Sequence, residues 1–317
     1  MRIAVVAGLI AIGFTSTPQL LAAEPPSRGR AIREQITIIA DIPYANNDNP
    51  RQQLDLFLPK QPVLNAPLPV IVFVHGGGWR KGDRRSGLTM LAPLIASGRF
   101  AGASIGYRLT DEASWPAQIH DCKAAIRWLR GNAGKHGLNA DRIAVIGTSA
   151  GGHLVAMLGT SGGVAELEGD LGAFVGLSSR VQCVVDFFGP SDLATMGGWH
   201  NKPDSPEALL LGGPIQENQG LAQSASPIHY ASADDPPFLM IHGTADPLVP
   251  FGQSVELQKK LEATGVTAFL IPIENGGHGR FRIPELDQRI GNFLDNQLHE
   301  GDKTIDLAPI PAASPQR

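Results

Sequence analysis

The stretch Val145-Ile146-Gly147-Thr148-Ser149-Ala150-Gly151-Gly152-His153 decides how the rest of the chain is read. The apolar run at 143–146 reads as a strand, and a helical pattern begins at Ala150. Between them stands Gly-x-Ser-x-Gly, the spacing of a tight strand-to-helix turn with a serine at its tip. Such a turn forces the serine backbone into an unfavourable conformation, and side chains two residues away on either side would collide. Gly147 and Gly151 remove that collision. The turn lifts the Ser149 hydroxyl clear of the sheet. It also aims the first free amides and the positive dipole end of the helix at the space in front of the hydroxyl. With 37 glycines in the chain the triplet alone says little; its place between a strand and a helix gives it meaning.

Toward the N-terminus, Val70-Ile71-Val72-Phe73-Val74 is a continuous β-branched and aromatic run, the pattern of a strand buried on both faces of a parallel sheet. It ends at His75-Gly76-Gly77-Gly78-Trp79. Three consecutive glycines let a loop turn its amides inward without Cβ clashes. Gly76 and Gly77, with Ala150 after the serine, are therefore the candidate donors for a developing oxyanion, each worth roughly 3–4 kcal/mol in a transition state.

Toward the C-terminus the partners of the serine are sought at the ends of later strands. A serine hydroxyl needs a base to take its proton, and the base needs an orienting acid. The run at 238–241 leads into His242-Gly243-Thr244-Ala245-Asp246-Pro247, which makes Asp246 the candidate acid. The run at 269–273 leads into Glu274-Asn275-Gly276-Gly277-His278-Gly279, and His278 is the histidine on that loop. The two are separated by about one helix and one strand. Asp192, at the end of the preceding strand, is the rival acid. His75 and His242 open their loops and read as structural histidines satisfied by backbone hydrogen bonds. Trp79 either lines an acyl pocket or anchors its loop. Gly82-Asp83 reads as a turn leading into a helix, and Arg108 with Asp121 as a structural ion pair.

The remaining segments alternate. Strands are expected at 34–42, 53–58, 100–107 and 182–188, and helices at 86–96, 116–132, 150–158, 254–263 and 284–298. This order predicts an α/β fold, a mostly parallel eight-stranded sheet with helices on both faces. Residues 24–33 read as a polar leader. Two irregular regions, 161–180 and 190–237, follow strands at the end where open α/β sheets bind ligands. The longer one, 190–237, reads as a lid or site wall and carries one short helical pattern near 207–211. Residues 24–300 are expected to form one domain, and the Pro- and Ala-rich stretch 301–317 a disordered tail.

Composition narrows the partners. At 317 residues, 43% hydrophobic and 18% charged, the chain is long enough for a sizeable core. A net charge of -4 supplies no basic field for nucleic acid. Residues 1–23 carry Arg2, an apolar run at 3–14 and Leu21-Ala22-Ala23, the pattern of a signal peptide cleaved near Ala23. The apolar run is too short for a spanning anchor, and no cysteine near the cleavage point would take a lipid, so no stable membrane anchor is expected. The expected location is periplasmic or extracellular. Export permits a disulfide, but Cys122 in a helix and Cys183 in a strand read as free buried thiols. No spacing of His or Cys suggests a metal, and no cofactor is expected.

Taken together, the segments 75–79, 147–153, 186–192, 242–246 and 276–279 resemble the α/β-hydrolase superfamily. Within it they look most like exported carboxylesterases grouped with feruloyl and acetyl-xylan esterases, and they are similar to hormone-sensitive-lipase-like esterases. The resemblance covers about residues 35–298. It implies a triad of Ser149, Asp246 and His278, an oxyanion hole of Gly76, Gly77 and Ala150, and a serine carboxylesterase acting on short acyl or aryl esters, small or carbohydrate-linked. Lipase-like relatives carry a helical cap ahead of the first strand. Here a short leader stands in that place, so enclosure of the substrate falls to 190–237. A small-amide hydrolase or peptidase on the same fold is the alternative reading, and a non-catalytic binding protein a third. Acyl group, alcohol and oligomeric state stay open at this level.

Overall fold

A computed structural model describes residues 28–279 and 281–312. The expected signal peptide lies outside the described residues. The strands are β1 (Ile36–Pro43), β2 (Gln53–Pro59), β3 (Leu68–Val74), β4 (Ala101–Ile105), β5 (Leu138–Thr148), β6 (Cys183–Phe187), β7 (Phe238–Gly243), β8 (Ala268–Glu274) and β9 (Ile310–Pro311). The helices are α1 (Arg28–Arg33), α2 (Gly87–Ala96), α3 (Ala117–Gly131), α4 (Ala133–His136), α5 (Ala150–Thr160), α6 (Ala165–Glu168), α7 (Pro206–Leu211), α8 (Gln219–Ser224), α9 (Gly252–Ala263) and α10 (Pro284–His299).

The nine strands of the described residues form one sheet in the order β1-β2-β4-β3-β5-β6-β7-β8-β9. The β1/β2 and β2/β4 pairs are antiparallel and every other pair is parallel. The central strands carry apolar side chains on both faces because both faces are covered. In β3, Val70, Val72 and Val74 join the core that holds α3, α5 and α9. Ile71 and Phe73 point the other way, into the core under α2 and α10. The two-residue period thus divides one apolar run between two cores.

The strand order also creates the site. From β3 the chain passes through α2 to β4 on one side, then returns through α3 to β5 on the other. β3 and β5 are therefore neighbours whose connections diverge, and the crevice at their C-terminal ends is a topological switch point. The loop after β3 and the turn after β5 meet there.

Three expectations are corrected. The sheet has nine strands rather than eight. The ninth comes from the stretch expected to be disordered: Ile310 pairs with Ile273 and is 3% exposed. Arg289 holds the preceding segment through Asp306 and the Ala308 carbonyl. An apolar residue and an edge with free backbone groups outweigh the polar composition around them. Residues 313–317 lie outside the described residues. Finally, part of the expected polar leader, 28–33, is the helix α1, which packs on α2. Cys122 and Cys183 are buried free thiols in opposite cores.

Candidate active site

Ser149 sits between β5 and α5 with φ 55° and ψ -121°, a region costly for any residue with a Cβ. The turn persists because its neighbours carry no side chains. A Cβ on Gly147 would stand 2.1 Å from the Gly151 carbonyl oxygen, and one on Gly151 2.2 Å from that of Val74. The Ser149 amide donates to the Phe187 carbonyl at 2.8 Å, which ties the turn to β6.

The three side chains singled out in the sequence converge. His278 Nε2 is 3.0 Å from Ser149 Oγ, and His278 Nδ1 is 2.7 Å from Asp246 Oδ2. Asp246 Oδ1 accepts the amides of Leu248 and Val249 at 2.8 and 2.9 Å. Burial alone would raise the Asp246 pKa. The hydrogen bonds from His242, His278 and the two amides overcome it and hold the carboxyl well below the usual range. The Asp246 side chain is fully buried and His278 is 14% exposed, so the base faces the cavity and the acid does not. Phe188 packs on the imidazole, with ring centroids 4.5 Å apart. The acceptor at Nδ1 fixes the proton there and leaves Nε2 free to receive the serine proton. The rival Asp192 is engaged elsewhere; it caps a 3-10 turn through the Ala194 amide.

The glycine loop lies beside the serine. A Cβ on Gly76 would stand 3.3 Å from Ser149 Cβ. Gly77 and Gly78 take φ of 119° and 61°, which no β-branched residue could hold. Gly76, Gly77 and Ala150 line the same cavity as Ser149 and His278. Ala150 opens α5, so its amide has no carbonyl one turn back to bond. Such donors, fixed before reaction, suit a tetrahedral oxyanion.

Two further histidines matter more than the sequence indicated. His242 was expected to be structural; its Nε2 lies 3.0 Å from the Val249 carbonyl but also 3.3 Å from Asp246 Oδ2. With only acceptors around it, Nε2 carries the proton, and Nδ1 accepts the Ser254 hydroxyl at 2.8 Å. The expected backbone bond is present, and a second link to the acid accompanies it. His153, on α5, accepts the Trp79 indole N–H at Nδ1 and places Nε2 2.6 Å from the Ala225 carbonyl. Burial lowers its pKa to about 4, so the ring is neutral and fits both roles. It connects α5, the glycine loop and the 190–237 insertion. His75 meets its expectation in part: Nδ1 reaches the Gly76 carbonyl at 2.9 Å and the ring stacks on Tyr107, but Nε2 is buried without a partner among the described residues.

Trp79 is 2% exposed and anchors its loop through His153, while its edge still contributes to the cavity wall. Asp83 caps the turn at 84–86, and Arg108 binds the buried Asp121 at 2.8 Å, both as expected. The cavity above Ser149 has a volume of about 1100 Å³. Residues of the insertion line part of it, and the insertion contains α8 and several 3-10 turns besides the helix α7. Among the described residues no three His, Cys, Asp or Glu side chains group as metal ligands.

The BD-FAE family profile matches residues 54–261, from β2 through most of α9. The chain belongs to the BD-FAE family. This places the fold among the α/β-hydrolases. The chain is similar to Esterase LipC of Mycobacterium tuberculosis, 33% identical over an alignment of 242 residues that covers 73% of this chain and 58% of LipC. It thus spans a little over half the length of that relative. Among solved structures, a truncated carbohydrate esterase from gut microbiota superposes with TM-score 0.77 at 35% identity, covering 83% of this chain and 96% of that one. An acetyl ester-xyloside bifunctional hydrolase from Caldicellulosiruptor lactoaceticus gives TM-score 0.62 at 26% identity, covering 76% and 87%.

Proposed function

We propose that this protein is a serine carboxylic-ester hydrolase working through an acyl-enzyme. The observation that carries the reading is the single imidazole, His278, within hydrogen-bonding reach of both the Ser149 hydroxyl and the buried Asp246 carboxylate. In this reading Ser149 Oγ attacks the ester carbonyl while His278 Nε2 takes its proton. Asp246 holds the imidazole in the required tautomer and stabilises its charged form. The carbonyl oxygen, now negative, is met by the amides of Gly76, Gly77 and Ala150. His278 returns the proton to the departing alkoxide, and a water activated by the same imidazole cleaves the acyl-serine ester.

The substrates we infer are short acyl or aryl esters, including esters on carbohydrate. The names of the relatives, which include esterases and a carbohydrate esterase, support this, as does a cavity larger than an acetyl group needs. The pattern at 1–23 supports export to the periplasm or beyond, with the mature chain beginning near Glu24; N-terminal sequencing of the native protein checks this.

The test of the activity is turnover of p-nitrophenyl acetate by the protein and by Ser149→Ala, with labelling by a fluorophosphonate probe. Loss of both in the variant is expected. Full activity in Ser149→Ala refutes the proposal. Measuring kcat/KM on matched ester and amide substrates decides which bond is preferred.

A further inference from the structure

The insertion contributes Trp199, His200, Pro206 and Glu207 to the cavity wall. Trp199 differs from the other tryptophans. Trp79 and Trp115 are 2% and 4% exposed, and Trp128 packs against the core, whereas Trp199 leaves 37% of its surface to solvent. With Leu248, 47% exposed, it leaves apolar surface on the wall of this cavity, where an apolar, flat group could rest.

The indole is also held in position. Gly197 and Gly198, with φ of 67° and 57°, form the turn that presents it. Its ring lies 3.9 Å from that of His200. His200 is 3% exposed, with Nδ1 3.1 Å from Glu207 Oε1. Glu207 is likewise 3% exposed and stands in the first turn of α7, next to Pro206, which packs against Gly78. A buried imidazole, itself beside a buried carboxylate, thus packs on the indole at the cavity wall. A pre-set aromatic face loses little entropy when a ligand docks, which is how rigid platforms gain affinity.

The remaining lining decides what would rest there. Lys81, Asp83, Ser86 and Thr89 are among the residues that line the same cavity. The matching ligand has an apolar ring face and a hydroxylated periphery. We propose that Trp199 is a stacking platform for a pyranose ring in the alcohol part of the ester, with the buried His200, next to Glu207, packed on the indole. The choice of an ester-linked sugar rests on the hydrolase reading above; the platform itself does not.

The experiment therefore separates the two. In the Ser149→Ala protein, which cannot turn over, xylotriose is titrated by isothermal calorimetry with and without Trp199→Ala and Trp199→Phe. We expect binding weakened about tenfold by Ala, the equivalent of ~1.4 kcal/mol, and largely kept by Phe. With Ser149 in place, KM for acetylated xylotriose should rise by a similar factor in Trp199→Ala, with kcat changing less than KM. If no ester is turned over but xylotriose binding still depends on Trp199, the hydrolase reading fails and the platform stands. If esters are turned over and xylotriose either does not bind or binds equally well to Trp199→Ala, the platform is wrong. A loss confined to methyl ferulate, with xylotriose untouched, also overturns it by making the ligand an aryl group.

Discussion

Replacing Asp246 by Asn changes one atom, and the geometry dictates where that atom goes. Asp246 Oδ1 accepts two backbone amides, from Leu248 and Val249, at 2.8 and 2.9 Å. Asn can serve them only by putting its carbonyl oxygen there, since the flipped amide would set its NH₂ against two N–H donors. Its NH₂ must then occupy the Oδ2 position, 2.7 Å from His278 Nδ1. An N–H donor at that place forces the proton of the imidazole to Nε2, the atom that has to accept from Ser149. The substitution keeps the shape and installs the wrong tautomer. The expected loss is about ten-thousand-fold in kcat, roughly 5 kcal/mol of transition-state stabilisation. The same NH₂ faces the His242 N–H, so a modest fall in thermal midpoint accompanies it. The assay is kcat on p-nitrophenyl acetate at pH 8, with circular dichroism and a melting curve to show that the fold is intact. A folded Asp246→Asn protein retaining kcat within tenfold of the parent would refute the tautomer argument and, with it, the role given to Asp246.

Other perturbations test the surroundings. Gly147→Ala places a methyl group 2.1 Å from the Gly151 carbonyl oxygen, backbone that cannot yield without undoing the turn; we expect a loss above about 4 kcal/mol in urea unfolding, or no soluble protein. Glu168→Ala strands Lys123 and Arg127, which are 0% and 1% exposed and both bind that carboxylate; about 3–5 kcal/mol of destabilisation should appear in the same measurement. Asp186 is a buried carboxyl whose pKa burial raises to about 6. The folded state therefore holds its proton more tightly than the unfolded chain, and this group's contribution to stability falls as pH rises from about 4 to 6. Asp186→Asn removes that dependence, so the melting temperature of the variant minus that of the parent should be more positive at pH 8 than at pH 4.5; an equal difference at both refutes it.

Much of the site was legible because its residues follow apolar runs, with glycines two positions either side of Ser149 and directly flanking His278. Ser149, Asp246 and His278 stand just beyond β5, β7 and β8, and the strand pattern, with the chain order serine, acid, histidine, pointed to them. What stayed hidden was mostly side-chain contact across the sheet. Nothing in His242-Gly243-Thr244-Ala245-Asp246 states that the loop folds back to put its first residue against its last. His153 looked like one more residue of the serine turn, and its bonds to Trp79 and Ala225 need the packed insertion. β9 escaped because two residues, Ile310 and Pro311, have no periodicity to read; the edge of β8 selects them. In the insertion, α8 has the sequence QGLAQS, too polar and too short to announce a helix, and forms because Ala222 is buried against its neighbours.

The short β9 pairs with Ile273 and Glu274, and the Ala312 amide donates to the Glu274 carbonyl. The loop that delivers His278 leaves β8 at that point. Purification handles, surface tethers or fusion partners joined just after Ala312 therefore pull on the residue that launches the imidazole. A tether placed just after Ala312 should disturb turnover before it disturbs folding, and attachment through a distant site such as the α9–β8 turn is the safer choice.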